Sequence, residues 1–360
     1  MAHRRAKGEG TIWRRTDGLW VAQITLPTGK RKAKYGRTQK EVKDWLHMQK
    51  EALRVGLWTD SEQLTLGEFL DKFMTDVAAH TLRPRTIESY HYIINKHIKP
   101  EIGTIKLSQL RPEQLQNLYS LKLNQGLSNR TVQYIHSVIH RSLNQALKWG
   151  LVVRNVADAS EPPRVKRTPP TALTADQAKQ LLETAKADRF YPLILLAITT
   201  GMREGELLGL QWGDIDLENG LIHVSHAIQL LEGKGLVLTE PKTEKSRRTI
   251  KLPPFVIDVL RGLDRSSDYV FCTSHGTPFS PRNLLRFFHQ LLKKAGLPKI
   301  RFHDLRHTFA SLLLNENVHP KVVQEMLGHS TITLTLDTYS HLLPERQQEA
   351  ADKIQSLLRI

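Results

Sequence analysis

The chain has 360 residues, of which 40% are hydrophobic and 24% charged, a balance that excludes disorder throughout and predicts two or three domains. Lys and Arg outnumber Asp and Glu by 52 to 36, so the net charge is +16; residues 1–60 alone hold 14 basic and 6 acidic side chains, a net of +8. The single cysteine, Cys272, excludes an internal disulfide and a cysteine-based zinc site. This excess of positive charge predicts a polyanionic partner, of which nucleic acid is the commonest.

Two observations bear on the cellular compartment. No apolar stretch of signal-peptide length follows the basic N-terminus, and the longest apolar run, 192–200, is far shorter than the roughly 20 residues that span a bilayer. We therefore expect an intracellular, cytoplasmic protein with no membrane partner.

Residues 1–60 alternate as a small three-stranded sheet followed by a helix. Turn residues separate predicted strands at 10–15, 19–26 and 30–35, and a helical pattern runs over 39–55. One apolar sheet face is expected to lie against this helix, which leaves a free face with four polar or basic side chains, namely Gln23, Thr25, Lys32 and Lys34. Such a face either enters a DNA major groove or is simply solvated, and the pattern alone leaves both interpretations open.

Residues 61–160 are typical of a helical unit. Thr65 and Glu68 form a predicted capping box, and Ser128 precedes a long amphipathic pattern that stops at Gly150. Basic side chains recur on the polar helix faces, among them Arg85, Arg130 and Arg141. They are candidate DNA contacts, although solvated helix charges give the same pattern.

A proline-rich basic stretch, 161–170, is a predicted linker to a larger domain. Thr174 and Gln177 form a second predicted capping box, and a buried helix is expected over 191–200. Alternating segments predict one small antiparallel sheet, with strands within 221–230, 236–239 and 247–252. From residue 281 onward the pattern is helical.

Four segments of this last domain combine residues that bind or break phosphate esters, at 199–212, 241–248, 303–309 and 327–341. In the first, Gly201 permits a tight turn that places Arg203 at the start of a helix, where backbone N–H groups also favour anions. In the third, helical spacing puts His303 and Arg306 on one face, away from the apolar side.

The combination resembles the tyrosine recombinases, or phage integrases. The motifs Thr-Gly-x-Arg-x-x-Glu-Leu, His-x-x-Arg-His, Leu-Gly-His and a terminal Tyr occur together, in this order, and the resemblance spans nearly the whole chain. It implies six catalytic residues: the arginines Arg203 and Arg306, the lysine Lys242, the histidines His303 and His329, and the nucleophile Tyr339. Lys245, three residues after Lys242, is the alternative for the lysine.

These residue types suit phosphodiester cleavage. Two arginines stabilise the charge that develops on the non-bridging oxygens, and removing one such donor costs on the order of 3 kcal/mol in barrier. A neutral histidine accepts the proton of Tyr339, whose ordinary pKa lies near 10, and Lys242 protonates the departing 5′ oxygen. The phosphotyrosine link conserves the energy of the broken ester, so rejoining needs no ATP. We expect no cofactor, and no metal, because the histidines lack His-Glu-x-x-His spacing.

The resemblance implies a multidomain α+β protein. Its parts are an arm-type DNA-binding domain at 1–60, a helical, SAM-like core-binding domain at 61–160, the linker at 161–170, a mainly α-helical catalytic domain with a small antiparallel sheet at 171–345, and a tail at 346–360. It further implies that the two larger domains clamp duplex DNA at an attachment site and that four protomers exchange strands between two duplexes through a Holliday junction. The family often also uses a directionality factor and a host DNA-bending protein.

The implied function is integration, and excision, of a phage or other mobile element in a bacterial host, at the nucleoid. A type IB topoisomerase would use the same catalytic groups only to relax DNA, but the separate basic N-terminal sheet favours recombination. A DNA-binding regulator with an idle catalytic fold would lack a catalytic group, and none is missing. Two points stay open: Glu206 is either a partner of Arg203 or a surface charge, and the apolar side of the tail docks on its own domain or on a neighbouring protomer.

Overall fold

The computed structural model describes residues 10–26, 29, 31–54, 63–166, 171–240, 247–333, 336 and 346–358. The chain divides into two compact units, Met1–Lys166 and Arg167–Ile360, which are called the first and the second unit below. Within those described ranges, no helix has the length and apolar character needed to cross a membrane.

The first unit begins with the predicted sheet and helix. The strands β1 (Thr11–Arg14), β2 (Trp20–Thr25) and β3 (Arg31–Gly36) form an antiparallel sheet with β2 in the centre, and α1 (Gln39–Arg54) packs on it. The core between sheet and helix consists of five buried side chains, namely Ala22, Ile24, Leu26, Val42 and Leu46. The expected three strands and helix are therefore confirmed.

The pairing of β2 with β3 corrects the expected free face. Lys32 lies opposite Ile24 and Lys34 lies opposite Ala22, whereas Gln23 lies opposite Ala33. Directly opposed residues share a sheet face, so both lysines lie on the side that α1 packs against, not beside Gln23. The error is one residue of register, which turns every side chain of a strand to the other face. Arg31, opposite Thr25, is the basic residue of β3 on the free face.

The rest of the first unit is helical, as predicted. Its α-helical segments are α2 (Leu66–Phe73), α3 (Ala79–Thr81), α4 (Pro84–Ile93), α5 (Lys99–Ile102), α6 (Pro112–Asn124) and α7 (Asn129–Lys148). Single π-helical turns join α2 to α3 and α4 to α5. Both start signals are confirmed: Thr65 and Glu68 cap each other at the start of α2, and the Ser128 hydroxyl accepts a hydrogen bond from the Thr131 N–H at the start of α7.

The second unit is mainly α-helical. Its helices are α8 (Ala175–Ala185), α9 (Tyr191–Thr200), α10 (Glu204–Leu208), α11 (Pro254–Arg261), α12 (Pro281–Lys294), α13 (Asp304–Asn315), α14 (Pro320–Leu327) and α15 (Arg346–Leu358). The predicted capping box of Thr174 and Gln177 opens α8. The predicted apolar helix, α9, is buried along most of its length and contacts α8, α10, α11 and α13, so it forms the centre of the core.

Two small sheets replace the single sheet that was expected here. The strands are β4 (Ile215–Asp216), β5 (Leu221–Val224), β6 (Ala227–Leu231), β7 (Gly235–Thr239) and β8 (Arg248–Lys251). One sheet has the order β4-β5-β8, and β6 and β7 form a second, two-stranded sheet. The predicted strand over 221–230 is interrupted after Val224, where the Ser225 hydroxyl donates a hydrogen bond to Asp214 and the chain leaves the first sheet.

Candidate active site

The turn between α9 and α10 places Arg203. Gly201 ends α9 with a φ of +62°, and a Cβ atom there would lie 2.4 Å from Cδ1 of Phe309, so only glycine fits. Two residues later Arg203 is the N-cap of α10, and its backbone N–H donates to Oε2 of Glu206 at 2.9 Å. The expected delivery of this arginine by a glycine turn is confirmed.

Arg306, in the first turn of α13, is buried, with only 3% of its surface exposed. Its Nη1 donates to the carbonyl oxygen of Gly201 at 2.7 Å, and its Nη2 donates to that of Leu327 at 2.6 Å. These carbonyls orient the guanidinium but carry only partial charges, so they do not cancel its full positive charge. The same two contacts tie α13 to the ends of α9 and α14.

Arg203 remains more open than Arg306. Its side chain is 38% exposed, with Nη1 on Oε1 of Glu206 at 2.6 Å and Nη2 donating to the carbonyl oxygen of Gly328 at 3.4 Å. Leu327 and Gly328, which accept from the two arginines, are consecutive. Both guanidiniums are therefore held against the same turn at the end of α14.

Glu206 and Arg248 form a buried ion pair beside this turn. Glu206 is 4% exposed, and its two carboxylate oxygens accept hydrogen bonds from Arg248 at 2.8 and 3.2 Å. Burial alone would raise the pKa of Glu206, but the hydrogen bonds and charge of Arg248 together with the charge of Arg203 lower it to about 2. Of the two interpretations left open for Glu206, the partner of Arg203 is confirmed.

Sequence reasoning missed Arg248. The residue ends the basic segment 241–248, but it is separated from Glu206 by 42 positions, and nothing in the local pattern distinguishes a buried arginine from its exposed neighbour Arg247. The available signal was the alternation of side chains along β8. Arg248 lies two positions before the buried Ile250 and therefore on the same face of the strand.

The two histidines lie at helix ends, near enough to the arginines to feel their charge. His303 directly precedes α13, and His329 directly follows Gly328, which ends α14 with a φ of +64°. Burial and the charges of Arg306 and Arg203 lower the pKa of His329 to about 3. Burial and the charges of Arg306 and Arg301 likewise lower the pKa of His303. Both imidazoles are therefore neutral at pH 7 and able to accept a proton.

Lys242 and Tyr339 lie outside the described residues, as does the alternative lysine, Lys245. The described part of the site thus brings together four of the six expected catalytic residues: Arg203, His303, Arg306 and His329. No group of three His, Cys, Asp or Glu side chains that could hold a metal ion occurs within the part of the chain that the structure describes.

The expected DNA-binding residues are distributed over the first unit. Gln23 and Thr25 share the free sheet face, whereas Lys32 and Lys34 lie on the other face, as described above. The three arginines of the helical part, Arg85, Arg130 and Arg141, are all exposed. Arg85 forms an ion pair with Glu88 at 2.8 Å. Arg130 and Arg141 are eleven positions apart on α7 and therefore lie on the same side of this helix.

Chemically, the described site can bind a phosphodiester. Arg203 and Arg306 provide positive charge that Glu206 balances only in part, because Glu206 is shared with Arg248. The two neutral histidines can accept or donate a proton next to these charges. A phosphoryl group held by two guanidiniums, with a proton acceptor alongside, is arranged for attack by an oxygen nucleophile.

Comparisons with known proteins identify the family of this chain. Residues 171–346 match the model of the phage integrase family, and residues 65–123 match that of the phage integrase N-terminal SAM-like domain. A tyrosine recombinase XerC-like protein of Caldanaerobacter subterraneus subsp. tengcongensis is 30% identical, over 91% of this chain and 92% of its own length.

Two solved structures have the same fold at lower sequence identity. The Tn1549 transposon integrase in complex with circular intermediate DNA superposes with a TM-score of 0.71 at 23% identity, over 81% of this chain and 99% of that one. A lambda integrase tetramer bound to a Holliday junction superposes with a TM-score of 0.59 at 19% identity, over 89% and 96%. The chain therefore belongs to the phage integrase family of tyrosine recombinases, enzymes that break and rejoin DNA at specific sites.

Proposed function

We propose that Tyr339 attacks a phosphodiester that Arg203 and Arg306 hold by its non-bridging oxygens, which leaves a 3′-phosphotyrosyl link and a free 5′ hydroxyl. The observation that carries this proposal is the setting of Arg306. Its guanidinium is buried and is oriented by two backbone carbonyls. One belongs to Gly201, in the turn before Arg203, and the other to Leu327, in the turn before His329. An arginine placed in this way is oriented before the substrate binds, so little reorganisation accompanies the reaction.

Proton transfer completes the scheme. His303 and His329, both neutral at pH 7, are the candidate acceptors for the proton of Tyr339, and the charges of the two arginines favour the phenolate that forms. Lys242 protonates the 5′ oxygen as it leaves, and Lys245 is the alternative donor. In the second half of the reaction, a 5′ hydroxyl of another strand attacks the phosphotyrosyl link and releases Tyr339.

The remaining parts are proposed to bind DNA. We assign residues 1–60 to arm-type sites, 61–160 to the core site, 161–170 to a linker and 171–345 to catalysis. On the N-terminal sheet, the free face with Gln23, Thr25 and Arg31 is the candidate surface for the major groove. In the helical part, Arg85, Arg130 and Arg141 are proposed phosphate contacts.

The assembly is proposed to be a tetramer on two duplexes, in line with the lambda integrase tetramer on a Holliday junction. The substrates are the attachment sites of a mobile element and its bacterial host, so the protein works in the host cytoplasm at the nucleoid. A directionality factor and a host DNA-bending protein are optional partners in this scheme. In the tail, 346–360, Ile354, Leu357 and Leu358 of α15 are exposed, and we propose that they pack on a neighbouring protomer.

A suicide substrate tests the nucleophile. The probe is a core-site duplex, selected for binding from a randomised pool, with a nick that lets the cleaved end diffuse away. We expect the wild-type chain and a Tyr269→Phe control to become covalently attached, and Tyr339→Phe to remain free. An adduct formed by Tyr339→Phe would show that another residue is the nucleophile.

A further inference from the structure

We propose that Arg248 is a positioning residue for DNA cleavage: through Glu206, it holds the guanidinium of Arg203 at the place where a non-bridging phosphate oxygen binds. The inference deepens the proposed function and rests on it, because it takes the role of Arg203 from there. Arg248 itself does not touch the phosphate in this account.

The contact from Arg248 to Glu206 is bidentate and buried. Nη2 of Arg248 lies 2.8 Å from Oε2 of Glu206, and Nη1 lies 3.2 Å from Oε1; the two side chains are 5% and 4% exposed. A bidentate pair fixes both the position and the plane of a carboxylate. Glu206 is therefore oriented from the side of β8.

The same carboxylate orients Arg203. Oε1 of Glu206 accepts from Nη1 of Arg203 at 2.6 Å, and Oε2 accepts from the backbone N–H of Arg203 at 2.9 Å. Each oxygen of Glu206 thus has one contact with Arg248 and one with Arg203. A rotation of the carboxylate would move both contacts of Arg203. Arg248, by fixing the carboxylate, therefore also fixes the position of Arg203.

Arg248 is in turn anchored to the end of α14. Its Nε donates to the carbonyl oxygen of Met326 at 2.6 Å. A Cβ atom at Gly328 would lie 3.0 Å from Cδ of Arg248, so the stem of Arg248 packs closely against this turn. Gly328 also provides the carbonyl oxygen that accepts from Nη2 of Arg203. The two arginines therefore share both a carboxylate and a backbone turn.

The geometry requires arginine rather than any cation. Nη1 and Nη2 of Arg248 donate side by side to Glu206 while Nε donates to Met326, and a planar fork can make these contacts at once. A lysine ammonium retains the charge but is a point donor that cannot reproduce this pattern. Arg248→Lys is therefore expected to leave Glu206 charged but less well oriented.

The experiment compares two substrates for each variant. One nicked core-site duplex carries the normal scissile phosphodiester, and the other carries a methylphosphonate, in which an uncharged methyl group replaces one non-bridging oxygen. If Arg203 serves to neutralise that oxygen, its misplacement matters less once the oxygen is absent. For each full-length variant, we measure the single-turnover cleavage rate on both duplexes and take the ratio of the two rates.

The ratio is insensitive to folding, because any unfolded fraction lowers both rates equally. We expect Arg248→Lys to slow cleavage of the phosphodiester by on the order of 100-fold relative to wild type, as for a catalytic group displaced by about 1 Å. On the methylphosphonate, we expect the deficit to shrink to a few-fold. Glu206→Gln, which weakens the same link, should show the same shrinkage. Arg261→Lys, at a surface arginine paired with Asp258, should match wild type on both substrates.

Two outcomes would overturn the proposal: no loss with Arg248→Lys, or an equal loss on both substrates, which would make Arg248 a structural residue only. Arg203→Met separates this failure from failure of the proposed function. If the deficit of Arg203→Met also stays the same on the methylphosphonate, Arg203 does not serve the non-bridging oxygen, and the proposed function is wrong at that residue. If the rate deficit on the methylphosphonate shrinks for Arg203→Met but not for Arg248→Lys, only the positioning role of Arg248 is wrong.

Discussion

Among the described residues, four charged side chains lie against the turn at the end of α14: Arg203, Glu206, Arg248 and Arg306. Among these four groups the cations outnumber the anion, which suits a phosphate that carries one negative charge in the duplex and gains more in the transition state. Burial makes this surplus more effective, because charges interact more strongly where water is excluded. Burial and, after it, the charges of Arg306 and Arg203 lower the pKa of both histidines.

The lowered histidine pKa predicts an unusual pH profile. An ordinary histidine, with a pKa near 6.5, becomes protonated as the pH falls through that value, and a general base is then lost. With the pKa of His329 at about 3, a base at this position stays neutral far below this point. We expect the cleavage rate at subsaturating DNA to be flat from about pH 7 to about pH 5. A tenfold fall per pH unit that begins near 6.5 would contradict the account.

The ion pair of Glu206 and Arg248 predicts how stability depends on acid. The pKa of Glu206 is about 2 in the folded protein, against 4.5 as its ordinary value, so its ionisation contributes on the order of 3 kcal/mol at neutral pH. This contribution is complete above pH 4.5 and is lost as the pH falls toward 2. In Arg248→Met, burial still opposes the ionisation of Glu206, but the hydrogen bonds and charge of Arg248 no longer offset it. The wild type should therefore lose its stability advantage over the variant between about pH 5 and 2.

Hydrogen exchange measures this effect in the full chain. The amides of α9, at the centre of the second unit, report opening of that unit. The difference in protection between wild type and Arg248→Met should narrow as the pH falls below 4.5. A constant difference over this range would mean that Glu206 does not depend on Arg248 for its charge.

At the scale of elements, the site is made by helix ends. The end of α9, the start of α13 and the end of α14 meet at Arg306, and α10 begins at Arg203. Gly201 and Gly328 terminate α9 and α14 in the left-handed conformation, and each lies against a side chain that leaves no room for a Cβ atom without movement. These glycines matter for function because backbone carbonyls next to them orient the arginines.

Substitution of Gly201 tests this requirement. Gly201→Ala combines left-handed backbone strain with a collision against Phe309, so we expect it to destabilise the second unit by about 2 to 4 kcal/mol and to slow cleavage. Gly233→Ala is the matched control. Gly233 has a φ of +70° but no atom within 4 Å of the added Cβ, so it should cost about 1 kcal/mol and leave cleavage unchanged. Equal effects on thermal unfolding of the two variants would contradict the role assigned to the Phe309 contact.

Elements with strong local signals were predictable. Thr65 with Glu68, Thr174 with Gln177, and the apolar run of α9 define their helices through nearest neighbours, and all three are confirmed. Features that depend on pairing between residues far apart in the sequence could not be predicted. The face of Lys32 and Lys34 depends on strand register, the two-sheet arrangement depends on where Ser225 meets Asp214, and the burial of Arg248 depends on Glu206, 42 positions away.

At the scale of the whole molecule, positive charge is distributed unevenly. Half of the net +16 lies in residues 1–60. In the second unit, by contrast, the decisive cations are few and are positioned around one turn. The dense charge of residues 1–60 suits attraction to a DNA backbone over a large surface. The few placed cations of the second unit suit binding of a single phosphate.

Removal of residues 1–60 tests this division of charge. On a duplex that carries both arm and core sites, the plot of log affinity against log salt should be shallower for the truncated protein, by on the order of 4 in slope, because fewer counterions are released. On a duplex with the core site alone, the two proteins should have equal slopes. Equal slopes on the longer duplex would show that the N-terminal charge does not contact DNA.

Peptide mapping of the trapped covalent adduct shows whether this chain cleaves DNA through Tyr339. After nuclease and protease digestion, mass spectrometry should place the residual nucleotide on Tyr339, attached through a 3′ phosphate. A nucleotide on any other residue, or one attached through a 5′ phosphate, would contradict the account.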